Sequence, residues 1–289
     1  MPELPEVETV RRGLSELIIG KVVLATQNDT AKGFPNTDAD VKVFLLGATV
    51  IAVRRRAKVL MIDLSTEYSL VIHLKMTGQL VFVSKDERFG AGHPNDSLVN
   101  ALPDKSTRVI IEFQDGSKLF FNDQRKFGWV KLIPTTEIPE LPFMKKVGPE
   151  PLEPDFTAEQ FAARFARCGR TNIKAAILDQ SVVAGVGNIY ADESLWGAKI
   201  HPKRLVATIT EQEFTDLYID LRAVMNLSIQ KGGSSNRNYV NAEGKRGSYM
   251  DFARVFRREG LSCPRCGTTI EKLRVAGRGT HICPYCQTL

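Results

Sequence analysis

Short apolar stretches alternate with polar ones along the first half of the chain. Eight such stretches lie between residues 21 and 133, and turn signals such as Asp115-Gly116 separate several of them. Runs of this length, spacing and composition are typical of an all-β sandwich or barrel. We predict strands at residues 21–27, 48–53, 58–63, 69–74, 79–83, 108–113, 118–122 and 127–133. The polar stretch 84–106, which contains Gly and Pro, is predicted to be a surface loop.

Helical periodicity replaces this pattern in the second half of the chain. Six prolines in residues 134–154 predict a linker. Helices are predicted at residues 7–17, 157–167, 172–179, 188–196 and 211–230. Thr157 and Thr210 are predicted N-caps, because acidic residues follow each of them in the first helical turn. The predicted organisation is a β-rich N-terminal domain (1–133), the linker (134–154), a helical domain (155–250) and a C-terminal hairpin (251–289).

Four of the five cysteines form two Cys-x2-Cys pairs near the C-terminus. Cys263 and Cys266 are followed, after sixteen residues, by Cys283 and Cys286. This spacing predicts a tetrahedral zinc site on a β-hairpin that reverses at residues 276–279. Two disulfides or a redox pair are the alternatives, and the lack of a secretory signal and of a thioredoxin-like context favours zinc. Since protein thiolates fill all four positions, the metal is expected to be structural.

Basic residues are concentrated in the same part of the chain. Residues 231–289 contain 11 Lys and Arg against 4 Asp and Glu, whereas the whole chain has a net charge of only +6 at pH 7. A basic excess confined to one segment indicates a polyanionic partner such as nucleic acid. No run approaches the roughly 18 apolar residues of a membrane-spanning helix, so no membrane partner is expected.

The first residues place a proline next to carboxylates. Pro2 is followed by Glu3 and Glu6. Removal of Met1, expected before a small residue, would make Pro2 a secondary amine that attacks an electrophilic carbon and forms an iminium. An α-amino group titrates near pH 8, so roughly a tenth is neutral at pH 7. The alternative is an ordinary helix N-terminus, with Pro5 in the first turn and the glutamates favoured by the helix dipole.

Three further stretches suit a DNA partner, although each also has a plain structural explanation. Strand alternation in residues 54–58 would put Arg54, Arg56 and Lys58 on one face, or the stretch is a solvated edge strand. Glycines before Asn188 lead into a helix whose free N–H groups would bind an anion, or they simply begin a helix. The third stretch is the turn Gln124-Arg125-Lys126-Phe127-Gly128. Its aromatic residue is either a wedge into DNA or part of the core.

In combination, these motifs resemble the bacterial formamidopyrimidine-DNA glycosylase (8-oxoguanine DNA glycosylase) family. The matching features, in chain order, are Pro2-Glu-Leu-Pro-Glu-Val-Glu-Thr9, Arg55-Arg-Ala-Lys58, His73-Leu-Lys-Met76, Asn122-Asp-Gln-Arg-Lys-Phe-Gly128, Gly185-Val-Gly-Asn-Ile-Tyr190 and the four-cysteine hairpin. They span the chain from Pro2 to Gln287, and Leu4 favours this branch over endonuclease VIII. The resemblance implies an α+β fold: an N-terminal β-sandwich with a flanking helix, a helical domain with a helix–two-turn–helix, and a zinc-ribbon β-hairpin.

The resemblance also implies catalytic residues. Pro2 would attack C1′ of a damaged nucleotide, Glu3 would transfer protons, and Glu6 would support the site through hydrogen bonds. Lys58 would act as a second proton donor and phosphate contact, and Arg278, on the turn of the zinc hairpin, would hold a phosphate beside the lesion.

The same resemblance implies a set of DNA contacts. They are His73, Met76, Ser106, Arg125, Phe127, Arg170, Lys174, Asn188 and Arg278. Among them, Met76, Arg125 and Phe127 would fill the space left by an extruded nucleotide, and residues 231–248, with Tyr239, would cap the flipped base. The chain departs from the family pattern at two places. Ser106 stands where many relatives carry a DNA-contacting His, and Phe256-Arg257 stands where Tyr-Gly is common.

These roles imply base-excision repair of oxidised purines in double-stranded DNA. A bifunctional glycosylase and abasic-site lyase would form a Schiff base through Pro2 and cut the strand by β,δ-elimination. One structural Zn²⁺ per chain is the implied cofactor, damaged duplex DNA is the implied partner, and a monomer in the bacterial cytoplasm is expected. The alternatives are a damage sensor that does not cut and a zinc-ribbon transcription factor, and the presence of Pro2 and Glu3 disfavours both.

Overall fold

The computed structural model describes residues 1–234 and 248–289. It divides into two compact units, one formed by Met1–Lys145 with Lys231–Ser248 and the other by Lys146–Gln230 with Tyr249–Leu289. The cysteine hairpin therefore belongs to the same unit as the helices that precede it. Within residues 1–234 and 248–289, no helix combines the length and the apolar character needed to cross a membrane.

Two antiparallel sheets form the first unit. Its strands are β1 (Val23–Asn28), β2 (Val50–Arg56), β3 (Val59–Leu64), β4 (Tyr68–His73), β5 (Gly78–Val83), β6 (Arg88–Gly92), β7 (Thr107–Phe113), β8 (Lys118–Asp123) and β9 (Trp129–Pro134). One sheet has the order β1-β7-β8-β5-β6 and the other β2-β3-β4-β9. The β-rich first half and all eight predicted strand regions are therefore confirmed.

Helix α1 (Leu4–Ile18) completes the core between the sheets. Its buried Val7, Val10, Leu14 and Ile18 recur every three or four residues and pack with apolar side chains from both sheets. Burial of each such side chain contributes roughly 1.5–3 kcal/mol. The helix approaches β6 so closely that a Cβ on Gly13 would lie 2.2 Å from the Phe89 ring. A short helix, α2 (Asp38–Asp40), continues into a wider helical turn at Val41–Leu45.

The prediction of a loop at residues 84–106 is wrong in part, because this stretch contains β6 and a helical turn at Asp96–Leu98. Leu98 packs with Val81 and Phe120 and so covers the outer face of the five-stranded sheet. Gly90 and Gly92 give β6 a sequence with little strand propensity, which explains why it was missed.

The proline-rich stretch 134–154 also begins as part of the first unit. Residues Thr135–Glu140 form a helical turn, and Ile138 packs on Val59, Met61 and Val71 on the outer face of the four-stranded sheet. This first part of the predicted linker is therefore packed against the sandwich.

The described part of the second unit contains four α-helices. They are α3 (Ala158–Arg164), α4 (Ile173–Leu178), α5 (Asn188–Gly197) and α6 (Glu211–Gln230). The predicted N-caps are confirmed, since Thr157 Oγ1 accepts the Gln160 N–H and Thr210 Oγ1 accepts the Glu213 N–H, each at 3.2 Å. Each helix begins within one residue of its predicted start, because capping signals are local in sequence.

The second unit ends in a two-stranded hairpin of β10 (Glu271–Val275) and β11 (Arg278–Ile282). Its two-residue turn, Ala276-Gly277, has φ values of 49° and 73°. Both lie in the left-handed region that tight hairpin turns of this length require. The predicted reversal at residues 276–279 is confirmed.

A buried carboxylate on α5 anchors the chain that leads to the hairpin. Glu193 accepts the backbone N–H groups of Arg254, Val255 and Phe256 at 2.8–3.1 Å, and it accepts the Tyr249 hydroxyl at 2.9 Å. A buried carboxylate is costly unless several donors satisfy it, so giving up these hydrogen bonds would destabilise the folded protein. They hold residues 254–256, which lead to the hairpin, against α5.

Candidate active site and metal centre

The N-terminus of α1 brings Pro2, Glu3 and Glu6 together. Glu3 is the N-cap residue, and its backbone N–H donates to Glu6 Oε2 at 2.7 Å while its side chain accepts the Glu6 N–H. This reciprocal arrangement is a capping box. Both carboxylates are only 3% exposed. An ordinary helix start thus places two buried acids beside the predicted nucleophile.

Pro2 is buried, whereas Met1 is 46% exposed. While Met1 is attached, the Pro2 nitrogen belongs to a peptide bond and is not a nucleophile. Removal of Met1 would free the secondary amine.

Glu6 also holds the start of the predicted capping loop, residues 231–248. Its Oε1 accepts the Ser234 N–H at 2.7 Å. Gly233 has φ +87°, and a Cβ there would lie 3.3 Å from the Glu6 side chain, so this close approach suits glycine. One carboxylate therefore contacts both the N-terminus and Ser234. Tyr239 and the rest of residues 235–247 lie outside the described residues.

Lys58 lies in the tight turn between β2 and β3. Arg56 pairs with Val59, and Ala57 takes a left-handed φ of 51°. Lys58 is 7% exposed. Strand alternation puts Arg54 and Arg56 on one face, but β2 ends at Arg56, so the expectation is wrong for Lys58.

Arg54 instead forms an ion pair with Asp63 of the adjacent strand, with Nη2 to Oδ1 at 2.9 Å. Strand β2 is an edge of its sheet. Its exposed arginine therefore fits the alternative explanation of a charged edge strand.

Glu8 and Arg55 connect the N-terminal helix to the Lys58 turn, and both were missed in the sequence. Arg55 donates to Glu8 Oε2 at 3.1 Å and to the Ala57 carbonyl at 3.0 Å. Arg11 and Arg12 also donate to Glu8. A glutamate within two turns of Pro2 and an arginine three residues before Lys58 were the available signals, but only the fold shows that they meet.

Glu8 has a strongly perturbed titration. Burial by itself raises the pKa of Glu8, but hydrogen bonds from Arg11 and Arg12 and the charge of Arg55 outweigh it and lower the pKa to about 2. The ordinary value is 4.5. The carboxylate form is therefore more stable in the folded than in the unfolded protein.

We expect the free energy of unfolding of Glu8→Gln to fall less than that of wild type when the pH is lowered. The lowered pKa stabilises the fold fully above pH 4.5, and this stabilisation is lost as the pH falls towards 2. Urea unfolding at pH 7 and pH 3 measures the effect, with Glu16→Gln, an exposed position on the same helix, as control. If a change from pH 7 to pH 3 lowered the free energy of unfolding of Glu8→Gln as much as that of wild type, the assignment would be contradicted.

His73, at the end of β4, is a neutral donor. Its Nδ1 accepts the Lys75 N–H at 3.0 Å, so the ring proton is on Nε2. Burial, followed by the charges of Lys75 and Lys58, lowers the pKa of His73 to about 3. At pH 7 the side chain therefore offers an uncharged N–H to a ligand.

The predicted void-filling residues lie on two neighbouring loops of the first unit. Phe127 is 46% exposed, and the Arg125 guanidinium lies 4.8 Å from the centre of its ring. Met76, half-buried, lies in the turn between β4 and β5. The arrangement presents a stacked cation and aromatic ring at the surface, which is the combination that unstacked bases bind.

In the second unit, Asn188 and Arg278 lie close together. Asn188 begins α5, and its Nδ2 donates to the carbonyl of Gly279 at 2.9 Å, next to the exposed Arg278. Arg170 is exposed just before α4. A helix N-terminus, an amide and an arginine thus form a small electropositive surface suited to a phosphate.

Two predicted DNA contacts lie inside the protein. Lys174 is completely buried, with Nζ 2.5 Å from Asp192 Oδ1 and 2.7 Å from Thr280 Oγ1. Ser106 is also buried, and its hydroxyl bonds Asp104 at 2.7 Å. Both placements differ from the direct contact that we expected, because each side chain has an internal partner that its own sequence surroundings do not reveal.

The four predicted metal ligands cluster at the base of the hairpin. The Sγ atoms of Cys263, Cys266, Cys283 and Cys286 all lie within 4.8 Å of one another. Tetrahedral Zn–S bonds of about 2.3 Å put the sulfurs roughly 3.8 Å apart, so the spacing fits zinc. All four are free thiols, which disfavours the disulfide alternative. A closed set of four thiolates leaves no position for a reacting ligand.

The departure at Phe256-Arg257 also has a structural setting. The Phe256 ring packs edge-on against His281, with centroids 5.0 Å apart. Arg257 has φ +60°, a conformation that costs a non-glycine residue free energy. Arginine therefore occupies a left-handed position that glycine would take without strain.

Family models match successive parts of the chain. They are the formamidopyrimidine-DNA glycosylase N-terminal domain (residues 1–130), the formamidopyrimidine-DNA glycosylase H2TH domain (147–239) and a zinc finger found in FPG and IleRS (260–289). The chain is 41% identical to a formamidopyrimidine-DNA glycosylase of Pediococcus pentosaceus, with 100% of both chains covered. It is 40% identical to one of Listeria innocua, covering 99% of this chain and 100% of the relative.

Solved structures of DNA complexes are also similar to the chain. Lactococcus lactis Fpg bound to abasic-site DNA has a TM-score of 0.86 at 34% identity, covering 99% of this chain and 100% of that one. MutM bound to carbocyclic 8-oxo-G DNA has a TM-score of 0.86 at 33% identity, covering 100% of both chains. Fold, N-terminal site and zinc finger define a DNA glycosylase. The chain belongs to the formamidopyrimidine-DNA glycosylase family.

Proposed function

We propose that the protein excises oxidised purines from duplex DNA and then cuts the strand at the abasic site. The observation that carries this proposal is Pro2 beside the buried Glu3 and Glu6, in a chain that resembles formamidopyrimidine-DNA glycosylases over its full length. The structurally similar proteins were solved with DNA containing Fapy-dG, 8-oxo-G or an abasic site. These lesions are therefore the proposed substrates and product.

Excision begins with eversion of the damaged nucleotide, since C1′ is inaccessible in stacked duplex. Eversion costs a few kcal/mol. Met76, Arg125 and Phe127 would fill the vacated space, while His73 and the Asn188–Arg278 surface would hold phosphates. His73 donates as a neutral imidazole because its pKa is about 3, so its contribution does not change between pH 5 and pH 9.

The Pro2 nitrogen then attacks C1′ and breaks its bond to the purine. The bonding electrons leave with the base, which takes up a proton, and opening of the C1′–O4′ bond gives an iminium. Glu3 would transfer the protons to the base and to O4′, with Lys58 as a second donor. A secondary amine forms a cationic iminium without protonation, so the electron sink is ready for the next step.

Strand cleavage follows from the same intermediate. The iminium acidifies the C2′ hydrogens, and loss of one expels the 3′ phosphate by β-elimination. A further proton loss, from C4′, expels the 5′ phosphate by δ-elimination. The proposed product is a one-nucleotide gap with phosphate on both ends.

The four cysteines would bind zinc, which would hold the hairpin that carries Arg278 and would take no part in bond breaking. Residues 231–248 are proposed to cap the everted base, and the Glu6 contact to Ser234 supports this by anchoring the start of that segment. We further propose a monomer acting in the bacterial cytoplasm, in line with the bacterial relatives.

Borohydride trapping tests the proposal. The substrate is a duplex with one 8-oxoguanine opposite cytosine, and intact mass is recorded on the same preparation. We expect a covalent adduct from protein lacking Met1, mapped to Pro2, and a weakened or redirected lyase step in Pro2→Gly. Tight binding without an adduct or cleavage, despite Met1 removal, would identify a damage sensor instead.

A further inference from the structure

Asp123 is a fully buried carboxylate at the end of β8, and the proposed chemistry gives it no task. Its Oδ2 accepts the backbone N–H groups of Phe127 at 2.8 Å and of Gly128 at 2.7 Å. Its Oδ1 accepts the N–H of Arg125 at 3.1 Å. Three donors of one turn therefore converge on one side chain.

The same carboxylate also holds the neighbouring loop. The Thr77 hydroxyl donates to Asp123 Oδ1 and accepts the Arg125 N–H at 3.0 Å. Thr77 directly follows Met76, and Gly78 pairs with Asp123 across β5 and β8. The loop that carries Met76 and the turn that carries Arg125 and Phe127 are thus joined through one hydrogen-bond network.

The turn held in this way is not one that the chain would adopt by itself. Lys126 has φ +56°, which is unfavourable for a residue with a side chain. Gly128 has no room for a Cβ, which would lie 2.6 Å from the Phe121 ring and 2.9 Å from the His73 carbonyl. Since strained backbone persists only where its surroundings determine it, the contacts from Asp123 maintain this geometry.

We propose that Asp123 and Thr77 are positioning residues that hold Met76, Arg125 and Phe127 as one preformed wedge and thereby set the preference for the base opposite the lesion. The inference rests on the proposed function. A wedge fixed before binding loses little side-chain and loop freedom when it enters the duplex. It also places the Arg125 guanidinium at one position against the orphaned base, which is what discrimination between cytosine and adenine requires.

Asp123→Asn is the direct test, because an amide cannot accept all of these N–H groups with both of its terminal atoms. We expect single-turnover excision of 8-oxoguanine opposite cytosine to fall about 10- to 100-fold and the preference for cytosine over adenine to fall at least about fivefold. Thr77→Val, which removes only the link between the loops, is expected to show the same changes at smaller size.

Two controls separate positioning from a general loss of structure. Asp115→Asn makes the same substitution at an exposed turn between β7 and β8, where Asp115 accepts the Ser117 N–H, and is expected to leave the preference unchanged. Borohydride trapping on a preformed abasic site opposite a one-nucleotide gap offers no orphaned base to hold. On this gapped substrate, Asp123→Asn and Thr77→Val are expected to form the trapped adduct at rates within about twofold of wild type.

The outcomes are distinct. If wild type formed no trapped adduct on either substrate, the proposed function itself would be refuted. An active wild type with unchanged base preference in Asp123→Asn and Thr77→Val would overturn the inference, as would equal losses on paired and gapped substrates. If Asp123→Asn does not fold, the inference is decided by the preference of Thr77→Val for cytosine over adenine. The thermal midpoint of Thr77→Val is measured alongside.

Discussion

Glu3→Gln is expected to abolish base excision while DNA binding is retained. Gln is isosteric and keeps an oxygen that accepts the Glu6 N–H, so the helix N-cap should survive. What is lost is a carboxyl group that transfers protons to the departing base and to the sugar. Removal of a positioned acid or base typically costs 10²- to 10⁴-fold in rate, and at this site the same group is proposed to serve more than one proton transfer.

Single-turnover excision on an 8-oxoguanine:cytosine duplex measures the rate, and an electrophoretic shift on abasic-site DNA measures binding. Intact mass confirms that Met1 is absent from each preparation, because a retained Met1 would mimic the defect. Glu16→Gln, on the exposed side of the same helix, is the matched control and is expected to behave as wild type. Normal excision by Glu3→Gln would refute the proton-transfer role.

The elements that could be predicted are those whose signals are local. Helix N-caps such as Thr157 act within one turn, and the hairpin turn at Ala276-Gly277 depends on two residues. Strand β6 was missed because its glycines carry little signal, and its stability comes from packing of Phe89 against Gly13 of α1. Such contacts join residues far apart in sequence, so periodicity does not reveal them.

The candidate site divides in the same way. The cysteine spacing and the N-terminal acids are close in sequence, and the structure brings each group together. Burial of Lys174 depends on Asp192 and Thr280, which lie 18 and 106 residues away. Asp123 lay inside a motif already recognised, but only the backbone donors that converge on it indicate its function.

The buried pair of Lys174 and Asp192 leads to the second large effect. Both side chains are 0% exposed. Asp192 Oδ2 also accepts the His281 N–H at 2.9 Å, and Lys174 Nζ lies 3.4 Å from the Gly279 carbonyl. This pair therefore ties α4 and α5 to β11, the strand that begins at Arg278. Removal of one member leaves the other charge buried without its counter-charge, which typically costs 3–5 kcal/mol.

We therefore expect Asp192→Asn to lower the free energy of unfolding of the zinc-loaded protein by about 3–5 kcal/mol in urea titrations. Zinc content, measured separately, distinguishes a loosened hairpin from a lost metal. The exposed Asp216→Asn on α6 is the control. The double variant Lys174→Met with Asp192→Asn should recover much of the loss, because it buries no unpaired charge while Asn still accepts the His281 N–H. A cost below about 1 kcal/mol for Asp192→Asn alone would mean that Lys174 reaches solvent, and the direct phosphate contact first expected for it would then regain support.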